Sequence, residues 1–202
     1  TRLGRNAFLI LSLLIPIMAG MGLNFGMTLG AMAGEMALIM VADWQIWGIP
    51  GLVLATILSI PLSILLGLVC GSVLNRAKGR EMITSYFIAF FMNGVYQLIV
   101  LYMMGSIIPI MHSTLKLPRG YGIRNTVSLL QMRQSLDNAL AVSINGVKIP
   151  FLTLIIIALA CLFIVWFRRT KLGQDMRAVG QDMNVARDAG IDVDRTRLIS
   201  II

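Results

Sequence analysis

Charged side chains are scarce in this sequence, and their scarcity excludes an ordinary soluble domain. Only 13% of the 202 residues are charged, whereas 57% are hydrophobic, and the mean hydropathy is +0.84. A soluble globular domain carries about 25% charged residues. Because so few polar side chains could not cover a surface in water, we expect the chain to lie in a lipid bilayer.

Histidine and cysteine are also rare, which leaves little material for a catalytic or metal site. The only histidine is His112, and the two cysteines, Cys70 and Cys161, lie within apolar runs where a thiol is expected to be a small buried hydrophobe. The motifs of zinc peptidases, serine hydrolases and P-loop nucleotide-binding proteins are absent. We therefore predict no enzymatic activity, metal or cofactor, and any ATP that drives the protein must bind another subunit.

The apolar residues form long runs without strand-like alternation, which excludes a β-barrel. In lipid the backbone must satisfy its own hydrogen bonds, so the runs are predicted to be helices. Each is close to the ~20 residues that cross ~30 Å of hydrocarbon. The five segments are 7–23, 25–42, 49–74, 82–108 and 150–167. The prediction is an all-α fold, a polytopic transmembrane helix bundle forming a single domain over 1–202.

Basic residues outnumber acidic ones, 17 to 9, which gives a net charge of +8. In a soluble protein this balance would favour nucleic acid as a partner. Here the basic residues flank the apolar runs, so topology and anionic membrane lipid explain them better, and no nucleic-acid partner is expected. The strongest clusters, at 76–80 and 168–177, are predicted to be cytoplasmic, which makes 109–149 an extracytoplasmic loop.

The two ends of the chain complicate this topology. Three full crossings before Arg76 would place Arg2 and Arg5 outside, against the tendency of basic residues to stay inside. Either the first two segments form one broken crossing, or another helix precedes them. At the other end, residues 198–202 become apolar again, which predicts the start of a further span and an incomplete chain.

Glycines recur every four residues from Gly22 to Gly34, and this spacing has two interpretations. On a helix it lines one face with residues that let another backbone approach closely. Alternatively, Asn24, Phe25 and Gly26 mark a break at membrane depth, whose unwound backbone would line a substrate path.

Polar side chains within the apolar runs are the other candidates for function. Glu35 is a carboxylate at depth, which normally faces a bundle interior or a water-filled cavity. Asn93 and Gln97 are four residues apart and share a helix face. These residues either hydrogen-bond neighbouring helices or line a translocation path. The candidate pathway residues are Asn24, Gly26, Glu35, Asn93 and Gln97.

The most specific stretch, residues 169–191, resembles the cytoplasmic segment of ABC-importer permeases of the ribose, nucleoside and branched-chain amino acid group. Their pattern is roughly R-T-x-x-G-x-x-x-R-A-x-G-x-N-x-x-A-A-x-x-x-G-I. The matching residues here are Arg169, Thr170, Gly173, Arg177, Ala178, Gly180, Ala186, Gly190 and Ile191. Two positions depart from it, since Asp182 replaces the usual Asn, with Asn184 two places later, and Ala186 is the one member of the Ala pair that is present.

This resemblance implies that 171–194 is a cytoplasmic coupling segment that docks on an ATPase subunit. The residues it assigns to coupling are Arg177, Ala178, Gly180, Asn184, Ala186, Gly190 and Ile191. It further implies a multi-pass permease subunit of the bacterial inner membrane. Its partners would be ABC ATPase subunits, a second permease subunit (in a homo- or heterodimer) and an extracytoplasmic substrate-binding protein.

The cargo implied is a small solute. Leu23-Asn24-Phe25-Gly26 resembles the Asn-Ile-Gly element of nucleoside-type permeases, which favours a sugar or a nucleoside over a branched-chain amino acid. Residues 80–85 resemble the loop-to-helix entry that follows the basic turn in these permeases. An alternative outside the family is a secondary transporter that uses Glu35 as a proton or cation site.

Overall fold

Helices dominate the computed structural model, which describes residues 2–104, 107–110, 141–144 and 147–202. The α-helices in these ranges are α1 Arg2–Met18, α2 Met27–Asp43, α3 Gly48–Arg76, α4 Glu81–Leu98, α5 Phe151–Phe167, α6 Lys171–Gln181, α7 Met183–Asp188 and α8 Val193–Ile201. A π-helical turn, Ile99–Met103, extends α4. The predicted helical architecture is confirmed. One antiparallel hairpin, of β1 Ala141–Ile144 and β2 Val147–Pro150, departs from the all-α prediction.

Fewer helices qualify as membrane spans than the five predicted apolar segments. By length and composition the candidates in the described ranges are α3 and the continuous helix Glu81–Met103. A third is counted if α5 and α6, which bend by 76° at their junction, form one span. Helices α1 and α2 have 17 residues each, about 26 Å at 1.5 Å per residue, which is short of ~30 Å of hydrocarbon. Two or three candidate spans are therefore shown, not five.

Residues 19–26 separate α1 from α2, so the first predicted segment, 7–23, does not continue as a helix. Gly20 and Gly22 have φ of 75° and 63°, a left-handed conformation that favours glycine and ends the helix after Met18. The Asn24 side-chain Oδ1 then accepts the Gly26 backbone N–H at 2.8 Å, just before α2 begins. A break is therefore present beside Asn24-Phe25-Gly26, as one of the two interpretations predicted, while its position at membrane depth and its role in a substrate path stay predictions.

Close helix packing instead uses two glycines of α3. A Cβ on Gly67 would lie 3.4 Å from the Ile202 Cα, and one on Gly71 would lie 3.4 Å from the Ile201 Cδ1, so α8 approaches α3 closely there. By contrast, a Cβ on Gly30 or Gly34 in α2 would meet no atom within 4 Å from the rest of the described residues. Close helix packing on glycines, which the sequence analysis predicted for the row from Gly22 to Gly34, is therefore found on α3 instead.

The buried apolar core lies around α2. Ala37 and Val41 pack against Ala55 of α3, and Leu29 packs against Cys70 and the end of α3. A separate cluster joins α2 to the π-helical end of α4. Cys70 is buried as expected.

One expectation is not met, and others concern residues that the structure does not describe. Cys161 of α5 is exposed among the described residues, against the expectation that it is buried. The predicted loop 109–149 lies outside the described residues except for 109–110, 141–144 and 147–149, and His112 lies outside them altogether.

Candidate coupling site

A sharp turn places α6 across the end of α5. The Thr170 hydroxyl donates to the Phe167 carbonyl at 2.6 Å and accepts the Gly173 N–H at 3.3 Å, which caps α6. A Cβ on Gly173 would lie 2.2 Å from the Phe167 carbonyl oxygen. The 76° bend therefore depends on glycine at this position, one of the positions that match the permease pattern.

Asp182, which departs from the permease pattern, has a local structural role. Its Oδ1 accepts the backbone N–H of Asn184 at 2.8 Å and of Val185 at 3.2 Å, so it is the N-cap of α7. Asp and Asn cap helices about equally well, and the substitution preserves this function. At the other end of α7, Gly190 takes a φ of 85°, the left-handed conformation common just after a helix.

Some of the predicted coupling residues face inward. Ala186 of α7 is buried against Val179 of α6 and Val193 of α8, and Ala178 and Ile191 pack at the edge of this cluster. These contacts hold α6, α7 and α8 together as one unit, which we call the coupling module (residues 171–201).

Other coupling residues face outward. Arg177, Asn184 and Gly190 are exposed. Val185 of α7 is also exposed, over 64% of its surface, although it is apolar. The sequence analysis did not single out Val185. The exposed surface of the module therefore carries side chains of both charges together with two apolar residues, Val185 and Leu172.

Gly180 attaches the module to the break between α1 and α2. A Cβ on Gly180 would lie 2.1 Å from the Met18 carbonyl oxygen, and one on Gly20 would lie 2.9 Å from the Gly180 Cα. The two backbones thus touch, and only glycine leaves room for both. Gly180 matches the family pattern, and here its role is to seat α6 within its own chain.

The turn between α3 and α4 attaches the module on its other side. The Asn75 side-chain amide donates to the Asp194 carbonyl at 2.7 Å, and the Lys78 Nζ lies 2.5 Å from the Asp194 carboxylate. The hydrogen bond from Lys78 lowers the pKa of Asp194. Deeper in, Arg197 of α8 forms an ion pair with Glu81, the first residue of α4. Sequence reasoning missed this pair, since no local pattern joins residues 116 positions apart.

These contacts bring the basic clusters at 76–80 and 168–177 to the same end of the bundle. The break at 19–26 is also there, because the Phe25 backbone N–H donates to the Ser85 hydroxyl at 3.2 Å. The break, the turn 75–81 and the coupling module thus form one continuous assembly.

Two of the pathway candidates line a cavity of about 380 Å³ among α1, α2, α3 and α8. Asn24 is 3% exposed and lies at its wall with Gly26. The other polar side chains of the wall are the hydroxyls of Ser12, Ser63 and Ser200, and no charged side chain of the described residues lines it. The cavity is therefore mainly apolar with a few uncharged hydrogen-bonding groups.

The remaining pathway candidates lie elsewhere. Glu35 is exposed on α2, where the hydroxyl of Tyr96 from α4 lies within hydrogen-bonding reach of its carboxylate. Asn93 and Gln97 are exposed on α4. None of these three lines the cavity, so the five candidates do not converge on one site.

The comparisons with known proteins identify one family. The family model described as "Branched-chain amino acid transport system / permease component" matches residues 6–202. No curated protein and no solved structure matches the chain.

Proposed function

The chain belongs to the family of permease components of branched-chain amino acid transport systems, which are ABC-type permeases of the membrane, and on this premise we propose that it is the permease subunit of an importer driven by a separate ATPase. We place it as a multi-pass protein in a bacterial inner membrane, with the coupling module on the cytoplasmic side. Its proposed partners are ATPase subunits, a second permease subunit and an extracytoplasmic substrate-binding protein. The family does not favour a secondary transporter built on Glu35.

The exposure of the apolar Val185 side chain is the observation that supports ATPase docking most directly. An apolar side chain with 64% of its surface exposed on a short helix gains from burial against another protein. The exposed Asp182, Arg187 and Asp188 flank it in sequence and would form a polar rim of mixed charge around such a contact. The module that carries α7 is held to the rest of the chain through Gly180 of α6 and Asp194 of α8, so a force on α7 would reach the helices behind the module.

The first test exchanges Val185 for glutamate. Wild-type protein is co-expressed with the ATPase subunit of its own transport system and purified in detergent, and the amount of bound ATPase is measured. We expect Val185→Glu to lose about tenfold or more of the bound ATPase, because a charge replaces the apolar protrusion at the centre of the contact.

Leu172→Glu supplies the matched control. Leu172 is also an exposed apolar residue of the module, 43% exposed, but it lies in the first turn of α6, away from α7. This variant should retain the ATPase. If the wild-type protein itself binds no ATPase, the permease assignment fails. Equal loss in both variants would refute Val185 as the docking residue.

For cargo, we propose an uncharged polar solute, a sugar or a nucleoside. The cavity wall offers Asn24 and serine hydroxyls without a charged side chain among the described residues. A zwitterionic amino acid would have to leave water without charged partners, at a cost of several kcal/mol. The Asn24-Phe25-Gly26 element supports the same choice. Branched-chain amino acids, which the family description names, are the alternative.

Uptake into proteoliposomes decides between these cargoes. The complete transporter, with its ATPase and binding protein, is supplied with ATP and with labelled ribose, uridine or leucine in parallel. We expect ATP-dependent uptake of ribose or uridine to exceed leucine uptake by about tenfold or more. Leucine uptake that exceeds both would overturn the proposal on cargo while leaving the permease assignment intact.

A further inference from the structure

A single buried side chain touches both the coupling helix and a candidate membrane span. The Arg197 Nη1 atom lies 3.3 Å from the Met183 sulfur, at the start of α7, and its Nη2 atom pairs with the Glu81 carboxylate, at the start of α4. We infer that Arg197 and Glu81 are the positioning pair through which movement of the coupling module reaches α4. This inference rests on the proposed permease function.

The burial of the pair argues against a purely stabilising role. Arg197 is 0% exposed and Glu81 is buried with it, while the Arg197 Nε atom has no hydrogen-bond partner among the described residues. Removing two charges from water costs as much as their attraction returns unless every polar atom is satisfied. An apolar pair of the same size would stabilise this contact equally well, so stability alone does not account for the charges.

The geometry suits the transmission of movement. A guanidinium group is planar and holds its partners in fixed directions, so Met183 and Glu81 cannot shift independently without breaking a contact. Helix α8, which carries Arg197, also rests on Gly67 and Gly71 of α3. Displacement of α7 would therefore move the beginning of α4 through Arg197, while the contact with α3 keeps α8 in place.

A second ion pair at the same end provides an internal comparison. Lys78 and Asp194 also join α8 to the turn before α4, but their side chains are 35% and 59% exposed. Water and salt weaken such surface pairs, and long exposed side chains can move without transmitting force. The buried pair should therefore matter for coupling, and the exposed pair should not.

The experiment uses the complete transporter in proteoliposomes and compares Glu81→Gln/Arg197→Met with wild type. This double change removes both charges together, so no uncompensated charge is left buried. We expect ATPase binding and ATP hydrolysis to stay within about twofold of wild type, and solute transported per ATP to fall about tenfold. The control, Lys78→Gln/Asp194→Asn, should change transport per ATP by less than about twofold.

The other outcomes would contradict either the inference or the proposed function. Unchanged transport per ATP in the buried-pair variant refutes the inference, and so does a parallel loss of ATPase binding, which would mean that the pair only holds α7 in place. A wild-type protein without ATPase binding refutes the proposed function itself. If the double variant does not purify, Arg197→Lys keeps the charge but loses the fork that bridges Met183 and Glu81, and it should lower transport per ATP with ATP hydrolysis retained.

Discussion

Replacing Gly180 by alanine is expected to destabilise the protein by about 3 kcal/mol or more, at the upper end of what overpacking a core costs. The added Cβ would lie 2.1 Å from the Met18 carbonyl oxygen, and the atoms it meets are backbone, which cannot rotate away. Either α6 moves off the break at 19–26 or the break itself distorts. The thermal unfolding midpoint in detergent should fall by about 6–12 °C.

The control for this prediction is Gly34→Ala. Gly34 lies inside α2, and its added Cβ would meet no atom within 4 Å, so the substitution should leave the midpoint unchanged or raise it through higher helix propensity. A Gly180→Ala protein that melts like the wild type would show that the contact between α6 and the break is looser than described.

Replacing Arg197 alone by methionine is the second change with a large expected effect. The Glu81 carboxylate would then stay buried without its partner, which costs about 3–5 kcal/mol. The protein should purify in low yield and unfold at a clearly lower temperature. The reason is the uncompensated charge and not lost packing, since methionine fills most of the space of the arginine stem.

The double change Glu81→Gln/Arg197→Met distinguishes the effect of an uncompensated charge from the effect of lost packing. It should recover most of the stability lost in Arg197→Met, because neither charge remains. If the single and double variants are equally unstable, the loss comes from packing around Arg197 and not from the carboxylate. The measurement is the thermal unfolding midpoint of the three proteins in the same detergent, with and without the ATPase subunit.

Several local features could be predicted from the sequence because they depend on neighbouring residues. A break at Asn24-Phe25-Gly26 was one of two interpretations, and the structure has the helix interrupted over 19–26, where Gly20 and Gly22 adopt a left-handed backbone. The α5 helix was predicted within a residue or two of its observed ends, because Pro150 precedes it and Arg168 follows it. The permease pattern implied one coupling segment at 171–194, which the structure divides into α6, α7 and the start of α8, and its glycines act locally at the bend and at the end of α7.

The number of spans and the position of Glu35 were less predictable. Hydropathy counts apolar residues but does not report where a helix begins or ends, so the first predicted segment, 7–23, has the length of α1 but ends five residues beyond it. A carboxylate in an apolar run was expected to face an interior, yet Glu35 is exposed in the single chain, with Tyr96 as its partner. Where a polar residue points depends on how α2 is rotated against α3 and α4, and composition does not specify this.

The sequence by itself determined that the protein is a helical membrane protein of the permease family, since scarcity of charge, long apolar runs and a motif within one segment are all properties of contiguous residues. Only the tertiary structure decided how the coupling module is held. Gly180 against Met18, and Arg197 against Glu81, are contacts between residues more than a hundred positions apart. Such contacts depend on which helices are neighbours, and packing of the whole bundle determines that.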